Sequence, residues 1–465
     1  MAEYDTIIRN AIVMAPSGAQ PLDVAISDRR IAALLPRREG IARQAIDASG
    51  KHLLPGAIDI HFHIRAPAYP DRGTVDSETR AAAAGGITTL FEMPISKPCC
   101  NTAERVEIRR AHFAEHAHIN FGLYAAPGDL TEASVAAMAA AGIVGFKIFT
   151  TPAPEGRDDE FFGLSFPDEA DQMRALKAAA ATGLPIVVHA ESAQLLARAE
   201  ADLEGTDLGN IDAHLASRPA ICEAVAVAKL LTMNIEARAK LHIAHVTSAL
   251  TVSVLRRFAG TSDFSAETCP HYLLRTHDDV RSAGVFAKIN PPVRLKADQD
   301  ALWQAIADGV ITHVTTDHAA FSRAEKLAGS KNMVTAPPGS PGSEILVPGM
   351  LDAAARGRIT LEQVVALLSG NAADRFGLPN KGRIEVGADA DLILVDLDGK
   401  TSIGPDTLLT FARDVAQLYY GAEFSGRVTR TIVGGQTVYD GAVQSHPGWG
   451  AYVRPAGRST TETTS

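Results

Sequence analysis

Two histidines one residue apart, in Asp59-Ile60-His61-Phe62-His63, are the first sign of chemistry in this chain. On a β-strand alternate side chains share a face, so the two imidazoles would point together and could hold one divalent cation. Asp59 shares that face, and its carboxylate could orient the rings. Taken alone, the pair is as well explained as packed or solvated histidines. It gains weight because other ionisable residues close or interrupt short apolar runs. His189 ends Ile186-Val187-Val188, with Glu191 just beyond, and His245 follows His242-Ile243-Ala244. Asp317 follows Ile311 to Thr316, and Lys147 interrupts Val144-Gly145-Phe146-Lys147-Ile148-Phe149. Any one of the histidines could be a hydrogen-bonded core residue. Lys147 resists that explanation, because lysine is almost never fully buried without a partner.

To bring such residues together, several strands must end at one face, and the intervening sequence has the required rhythm. From about Leu53 to Gly377 short apolar runs alternate with amphipathic segments. Acids in the first turns and Gly183 at the end predict a helix over Asp168 to Ala181, followed by a buried strand ending at His189. Thr360-Leu361-Glu362-Gln363 has the form of a capping box. Repeated β-then-α order predicts a parallel sheet with crossover helices. At this length a closed TIM (β/α)8 barrel is favoured over an open doubly wound sheet, and no GxGxxG or Walker loop supports the latter. Barrel sites form at the C-terminal strand ends, where His61, His63, Lys147, His189, His245 and Asp317 would gather. Short alternating strands between turns fill the first fifty residues and recur from Asp389 to Val433. They predict a small β-sandwich domain built from both chain ends, residues 1–53 plus 380–450, around a barrel of residues 54–379. Residues 451–465 read as a partly disordered tail.

Composition narrows the partners. The 465 residues are 46% apolar and 21% charged, ordinary for a chain with a real core. The net charge of −10 and the lack of Lys/Arg runs argue against nucleic acid or an anionic membrane as partner. Met1-Ala2-Glu3-Tyr4-Asp5 has no apolar signal core, and apolar stretches such as Ser134 to Phe149 contain Gly and Lys, unlike a membrane span. Cys99, Cys100, Cys222 and Cys269 have neither CxxC nor disulfide-framework spacing, so reduced thiols and a cytoplasmic location are expected.

Read in order, the motifs are Pro55-Gly56-Ala57-Ile58-Asp59-Ile60-His61-Phe62-His63, Gly145-Phe146-Lys147, Val188-His189-Ala190-Glu191 and Ile243-Ala244-His245-Val246-Thr247-Ser248. Glu267-Thr268-Cys269-Pro270-His271-Tyr272, Asn290-Pro291-Pro292-Val293-Arg294, Thr316-Asp317-His318-Ala319 and Gly387-Ala388-Asp389-Ala390-Asp391-Leu392 follow. Together they resemble the cyclic amidohydrolase branch of the amidohydrolase superfamily, which holds hydantoinases, dihydropyrimidinases, allantoinases and dihydroorotases. The resemblance implies two divalent metal ions, the first on His61, His63 and Asp317, the second on His189 and His245. It also implies that Lys147 is carboxylated by CO2 and bridges them as a carbamate. Zn2+ is the expected ion, with Mn2+, Co2+ or Fe2+ as alternatives, because such ligands accept several first-row metals. A neutral lysine amine can form that anionic ligand. Zinc lowers the pKa of water from 15.7 to about 7, which provides a nucleophile at neutral pH. Asp317 would then carry the proton between water and the departing ring nitrogen. The implied reaction is hydrolytic opening of a small cyclic amide or ureide, by a homodimer or homotetramer.

The substrate is less clearly written. Arg65 matches a dihydroorotase position that binds a carboxylate, which suits a bidentate guanidinium. The Asn that usually completes this clamp after Met93-Pro94 is replaced by Ile95. Ser217-Arg218-Pro219 points instead to hydantoinases and allantoinases, yet Pro152 stands where hydantoinases place a ring-recognising Tyr. Asn290, Gly339 within Pro338-Gly339-Ser340-Pro341-Gly342, His271 and His318 are further candidate substrate contacts. Pro338 replaces an Asn common in hydantoinases. His242 and His313 read as structural, and 150–166 as a lid loop. A non-standard cyclic imide is an alternative substrate. Catalytically silent scaffold proteins related to dihydropyrimidinase, and single-metal deaminases, are rivals of other kinds. The complete ligand set argues against the former, and Lys147 against the latter.

Overall fold

The protein is described by a computed structural model over residues 3–456. Its strands are β1 (Glu3–Ala15), β2 (Gly18–Ser27), β3 (Arg30–Leu35), β4 (Ile41–Asp47), β5 (His52–Pro55) and β6 (Ala57–His63). They continue with β7 (Ile87–Glu92), β8 (Asn120–Ala125), β9 (Gly145–Phe149), β10 (Pro185–His189), β11 (Lys240–Ile243) and β12 (Phe264–Thr268). Then come β13 (His313–Val314), β14 (His318–Ala319), β15 (Leu392–Ser402), β16 (Glu423–Val433) and β17 (Gln436–Tyr439).

The first five and last three strands join into one mixed sheet. β1 pairs antiparallel with β2 along one edge, and parallel with β4 and then β5 along the other. β5 pairs antiparallel with β15, so the two ends of the chain meet at Leu53 and Leu394. Ile8, Val13, Val24, Ile31, Leu53, Leu392 and Ile432 form its core. These are the inward positions of alternating strands, which is why this region is so plain in the sequence.

The other strands are parallel, in the order β6 to β13, with β14 beside β6. β13 and β14 are two pieces of one segment, the first paired with β12 and the second with β6, so the ring of eight staves closes. Every residue of β6, β7, β8 and β10 is buried, as expected of strands with helices outside and a filled interior. Ile60, Phe91, Met93, Tyr124, Val187 and Phe376 form an apolar plug inside. His61, His63, His189, His245 and Asp317 stand beyond it, toward the C-terminal strand ends.

The helices follow their local signals. Asp168 caps the helix Glu169–Thr182 by accepting from the Ala170 amide at 2.8 Å, and Gly183 closes it at φ 69°. Thr360 and Gln363 make the reciprocal bonds of a capping box, at 3.2 and 2.8 Å. No helix among the described residues is long and apolar enough to cross a membrane. Residues 451–456, the described part of the expected tail, run along β8: Phe121 N donates to Ala451 O at 3.0 Å and Val453 N to Phe121 O at 2.8 Å. Residues 457–465 lie outside the described residues. Replacing Asp168 with Ala should lower stability by about 1 kcal/mol, the usual worth of an N-cap. A urea midpoint equal to that of the parent protein would contradict this.

Candidate metal centre

The ring delivers six ionisable side chains to one end. His61 and His63 come from the end of β6, Lys147 from β9 and His189 from the last position of β10. His245 stands two residues beyond β11, and Asp317 sits between β13 and β14. All five basic side chains are buried, and Lys147 is fully enclosed. One oxygen of Asp317 lies 3.2 Å from His61 Nε2 and 3.3 Å from His63 Nε2. These three residues offer ligand atoms within 4.8 Å of one another, close enough to share an ion. Across the site His189 Nδ1 faces His245 Nε2 at 2.9 Å.

Backbone conformation helps to aim these groups. His245 and Asp317 adopt left-handed φ angles of 36° and 45°. Such conformations cost on the order of 1–3 kcal/mol for non-glycine residues and persist only where neighbours enforce them. Here the enforcement is visible. Val246 N donates to Glu267 O at 2.8 Å beside His245, and Thr316 N donates to the Asp59 carboxylate at 3.1 Å beside Asp317.

Carboxylates behind the rings set which nitrogens face inward. His61 Nδ1 is hydrogen-bonded to Glu267, which also lies 3.1 Å from His242 Nε2. His189 Nε2 is 2.7 Å from Glu191, itself paired with Arg218. An ionised carboxylate only accepts, so these nitrogens carry the protons, leaving lone pairs on His61 Nε2 and His189 Nδ1 toward the centre. Lys147 Nζ has no hydrogen-bond partner among the described residues. Burial pushes its pKa down to about 8, against the pull of the Glu267 and Asp317 carboxylates. Converging imidazole lone pairs, a carboxylate and an orphaned buried amine together fit a divalent-metal centre.

The Amidohydrolase family profile matches residues 52–438. The chain belongs to that family. An allantoinase of Rubrobacter xylanophilus is 37% identical over 466 residues, covering 98% of this chain and 98% of its own. An L-hydantoinase of Paenarthrobacter aurescens is 30% identical over 458 residues, covering 97% of this chain and 98% of its own. The solved L-hydantoinase (dihydropyrimidinase) of Arthrobacter aurescens superposes with a TM-score of 0.91 at 29% identity, covering 97% of this amidohydrolase and all of that chain.

Several side chains of the amidohydrolase do other work than their sequence positions imply. Asp59 does not orient the imidazoles. A bulge between Asp59 and Phe62 adds a residue to β6 and breaks the alternation, so its carboxylate accepts instead from Thr316 Oγ1 at 2.5 Å and from the His61 amide at 3.3 Å. His318 does not reach for a substrate. Its ring stacks on Phe62 at 4.3 Å, its Nδ1 accepts from the Gly342 amide at 3.2 Å, and its Nε2 lies 3.0 Å from Glu78. The stacking, the Nδ1 bond and the nearby Glu78 carboxylate tie this ring to the strand that follows Asp317. Arg65 is buried, donates to the Ala320 carbonyl at 3.0 Å and lies over the Phe321 ring at 4.7 Å. It fastens the loop after β6 to that segment. The 150–166 segment is docked, not free: Phe149 N donates to Leu164 O at 2.9 Å, Phe166 N to Phe149 O at 2.8 Å, and Asn101 Nδ2 to Phe162 O at 2.7 Å.

The remaining candidates keep unused polar atoms. His271 Nε2 and Asn290 Oδ1 are buried without partners among the described residues, and burial pushes His271 down to about 4, so that ring is neutral. Gly339, at φ 147°, lets the backbone pass where a Cβ would stand 2.7 Å from Ala319 O. Glu267 was the residue hardest to single out. It opens the Glu267-Thr268-Cys269-Pro270-His271-Tyr272 motif, and Ser265 and Glu267 alternate on β12 toward His242, a polar face inside a barrel. Glu267→Gln should weaken metal retention about 10- to 100-fold, the usual effect of losing a carboxylate behind a ligating histidine. Competition with a chelator measures it, and parent-like retention would rule that role out.

Proposed function

We propose that this enzyme hydrolyses a ring C–N bond of a small cyclic ureide, of the allantoin or hydantoin kind, at a two-metal centre. The observation that carries the reading is the fully buried Lys147 amine, without a hydrogen-bond partner among the described residues, within electrostatic reach of His189, His245 and Asp317. His61, His63 and Asp317 would hold one divalent ion and His189 and His245 the other, with Lys147 as a bridging carbamate. Zn2+ fits this donor set, as do Mn2+, Co2+ and Fe2+. When bound, such ions supply Lewis acidity and lower the pKa of water from 15.7 toward 7.

The chain's own groups manage the rest. Burial would raise the pKa of Asp317, but the imidazoles of His61, His63 and His245 outweigh it and hold the carboxyl well below the usual range. Asp317 is therefore ionised and takes the proton of the attacking water. As the C–N bond breaks it returns that proton to the ring nitrogen, leaving an open-chain acid. Glu267 and Glu191 keep His61 and His189 in the ligating tautomer throughout. Burial lowers the pKa of Lys147 and so favours its neutral form over that of a free lysine. The neutral amine is the form that adds CO2.

A carboxylate-bearing ring loses its main support, because the Arg65 guanidinium is engaged with Ala320 and Phe321 and Ile95 is buried. Relatives named allantoinase and L-hydantoinase favour the ureide. The four buried cysteines are free thiols, in keeping with the proposed cytoplasmic location.

In a ring-opening assay the purified protein should turn over allantoin or a 5-substituted hydantoin faster than dihydrouracil or dihydroorotate. Turnover of dihydroorotate alone would overturn the ureide reading. Lys147→Ala should lose at least about 100-fold in activity, and short carboxylic acids should restore part of it by replacing the missing bridge. Parent-like turnover in the variant would refute the carbamate.

A further inference from the structure

A second lysine is wholly buried near the site, and the reaction leaves it without a task. Lys326 lies in the short helix Arg323–Ala328 and has no exposed surface. Its Nζ donates to the Lys288 carbonyl at 3.0 Å and to the Pro337 carbonyl at 3.0 Å. It makes no ion pair among the described residues. A buried amine is expensive to keep when an apolar side chain could fill the same space.

The two carbonyls explain its retention. Lys288 lies two residues before Asn290, and Pro337 two residues before Gly339. The Lys288 carbonyl also accepts from Gly339 N at 2.9 Å, so the two segments touch directly beneath the lysine. The next carbonyls of the first segment are claimed as well: Ile289 O accepts from His214 Nε2 at 2.9 Å, and Pro291 O from Tyr272 OH at 2.7 Å. Asn290 Oδ1 is buried and has no partner. The second segment is pinned to the metal strand, with Ala319 N donating to Ser340 O at 3.1 Å. Among the described side chains, only Lys326 hydrogen-bonds to both segments through one atom. The Phe321 ring faces this amine at 5.6 Å, Arg65 at 4.7 Å and Arg72 at 4.6 Å, and its π face moderates their mutual repulsion. Both charge states of the amine offer at least the two N–H donors that the carbonyls need.

We propose that Lys326 is a positioning residue for the ring substrate: its amine, bonded to the Lys288 and Pro337 carbonyls, fixes the separation between the segments carrying Asn290 and Gly339. It acts on ring binding, through backbone it holds, and touches neither the metal ligands nor Asp317. The inference rests on the ureide-hydrolase reading, since it needs a ring to be gripped there.

The test compares Lys326→Met, which keeps the stem and loses both donors, with Lys326→Arg, which keeps donors. Steady-state kinetics are measured on whichever ureide the parent enzyme opens, alongside metal content. In Lys326→Met, KM should rise about tenfold or more, kcat should change less than about threefold, and metal content should match the parent, the pattern of lost ring binding. Lys326→Arg should recover most of the KM. An unchanged KM in Lys326→Met, or a loss of kcat together with bound metal, overturns the inference. If Lys326→Met does not fold, Lys326→Leu, which also lacks both donors, replaces it under the same criteria. A parent enzyme that opens no ureide would instead defeat the underlying reading, a result distinguishable from either.

Discussion

An enclosed amine without a hydrogen-bond partner among the described residues is costly to keep charged, and that constraint on Lys147 organises the rest of the molecule. Burial pushes its pKa down to about 8, while the carboxylates of Glu267 and Asp317 pull it up. The balance leaves an amine that is easier to neutralise than a free lysine, close to converging imidazoles. A surface lysine would be protonated and solvated. A lysine sealed in an apolar core would have nothing to bridge. The closed parallel ring meets both needs, because its inner strand positions are dry and its C-terminal ends converge.

The same logic extends outward in layers. Glu267 and Glu191 hold two imidazoles by their far nitrogens, and Arg218 neutralises Glu191 in turn. Asp59 and His318 secure the strand on either side of Asp317, through Thr316 and through Glu78. Left-handed turns at His245 and Asp317 persist because these neighbours leave no alternative. A buried lysine appears again at Lys326, where the amine is saturated by carbonyls and shapes loops, not metal chemistry. The difference between Lys147 and Lys326 lies wholly in what surrounds each nitrogen.

Membership of the amidohydrolase family and similarity to an allantoinase and L-hydantoinases agree with this picture of the site. They leave substrate preference to local details, where this chain is individual. Ile95 and Pro152 remove polar contacts, and Arg65 is turned to an internal purpose. Among the described residues, Asn290 Oδ1, His271 Nε2 and Arg65 Nε are buried polar atoms left without hydrogen-bond partners.

Much of the architecture was legible in the chain itself. Strand alternation, capping residues and closing glycines depend on neighbours within a few positions, so the β-then-α order, the helix after Asp168 and the capping box at Thr360 could be read directly. Motif order likewise named the six residues that gather at the centre. Tertiary structure decided what spacing cannot encode. Beside a register shift in β6, Asp59 bonds Thr316 and the His61 amide, and His318 packs against Phe62 and Glu78. Glu267, Arg65 and Lys326 acquired their roles from partners 11 to 255 positions distant in sequence. Local pattern fixes which face a side chain takes within its own element, whereas hydrogen-bond partners and desolvation are set only when distant elements close around it.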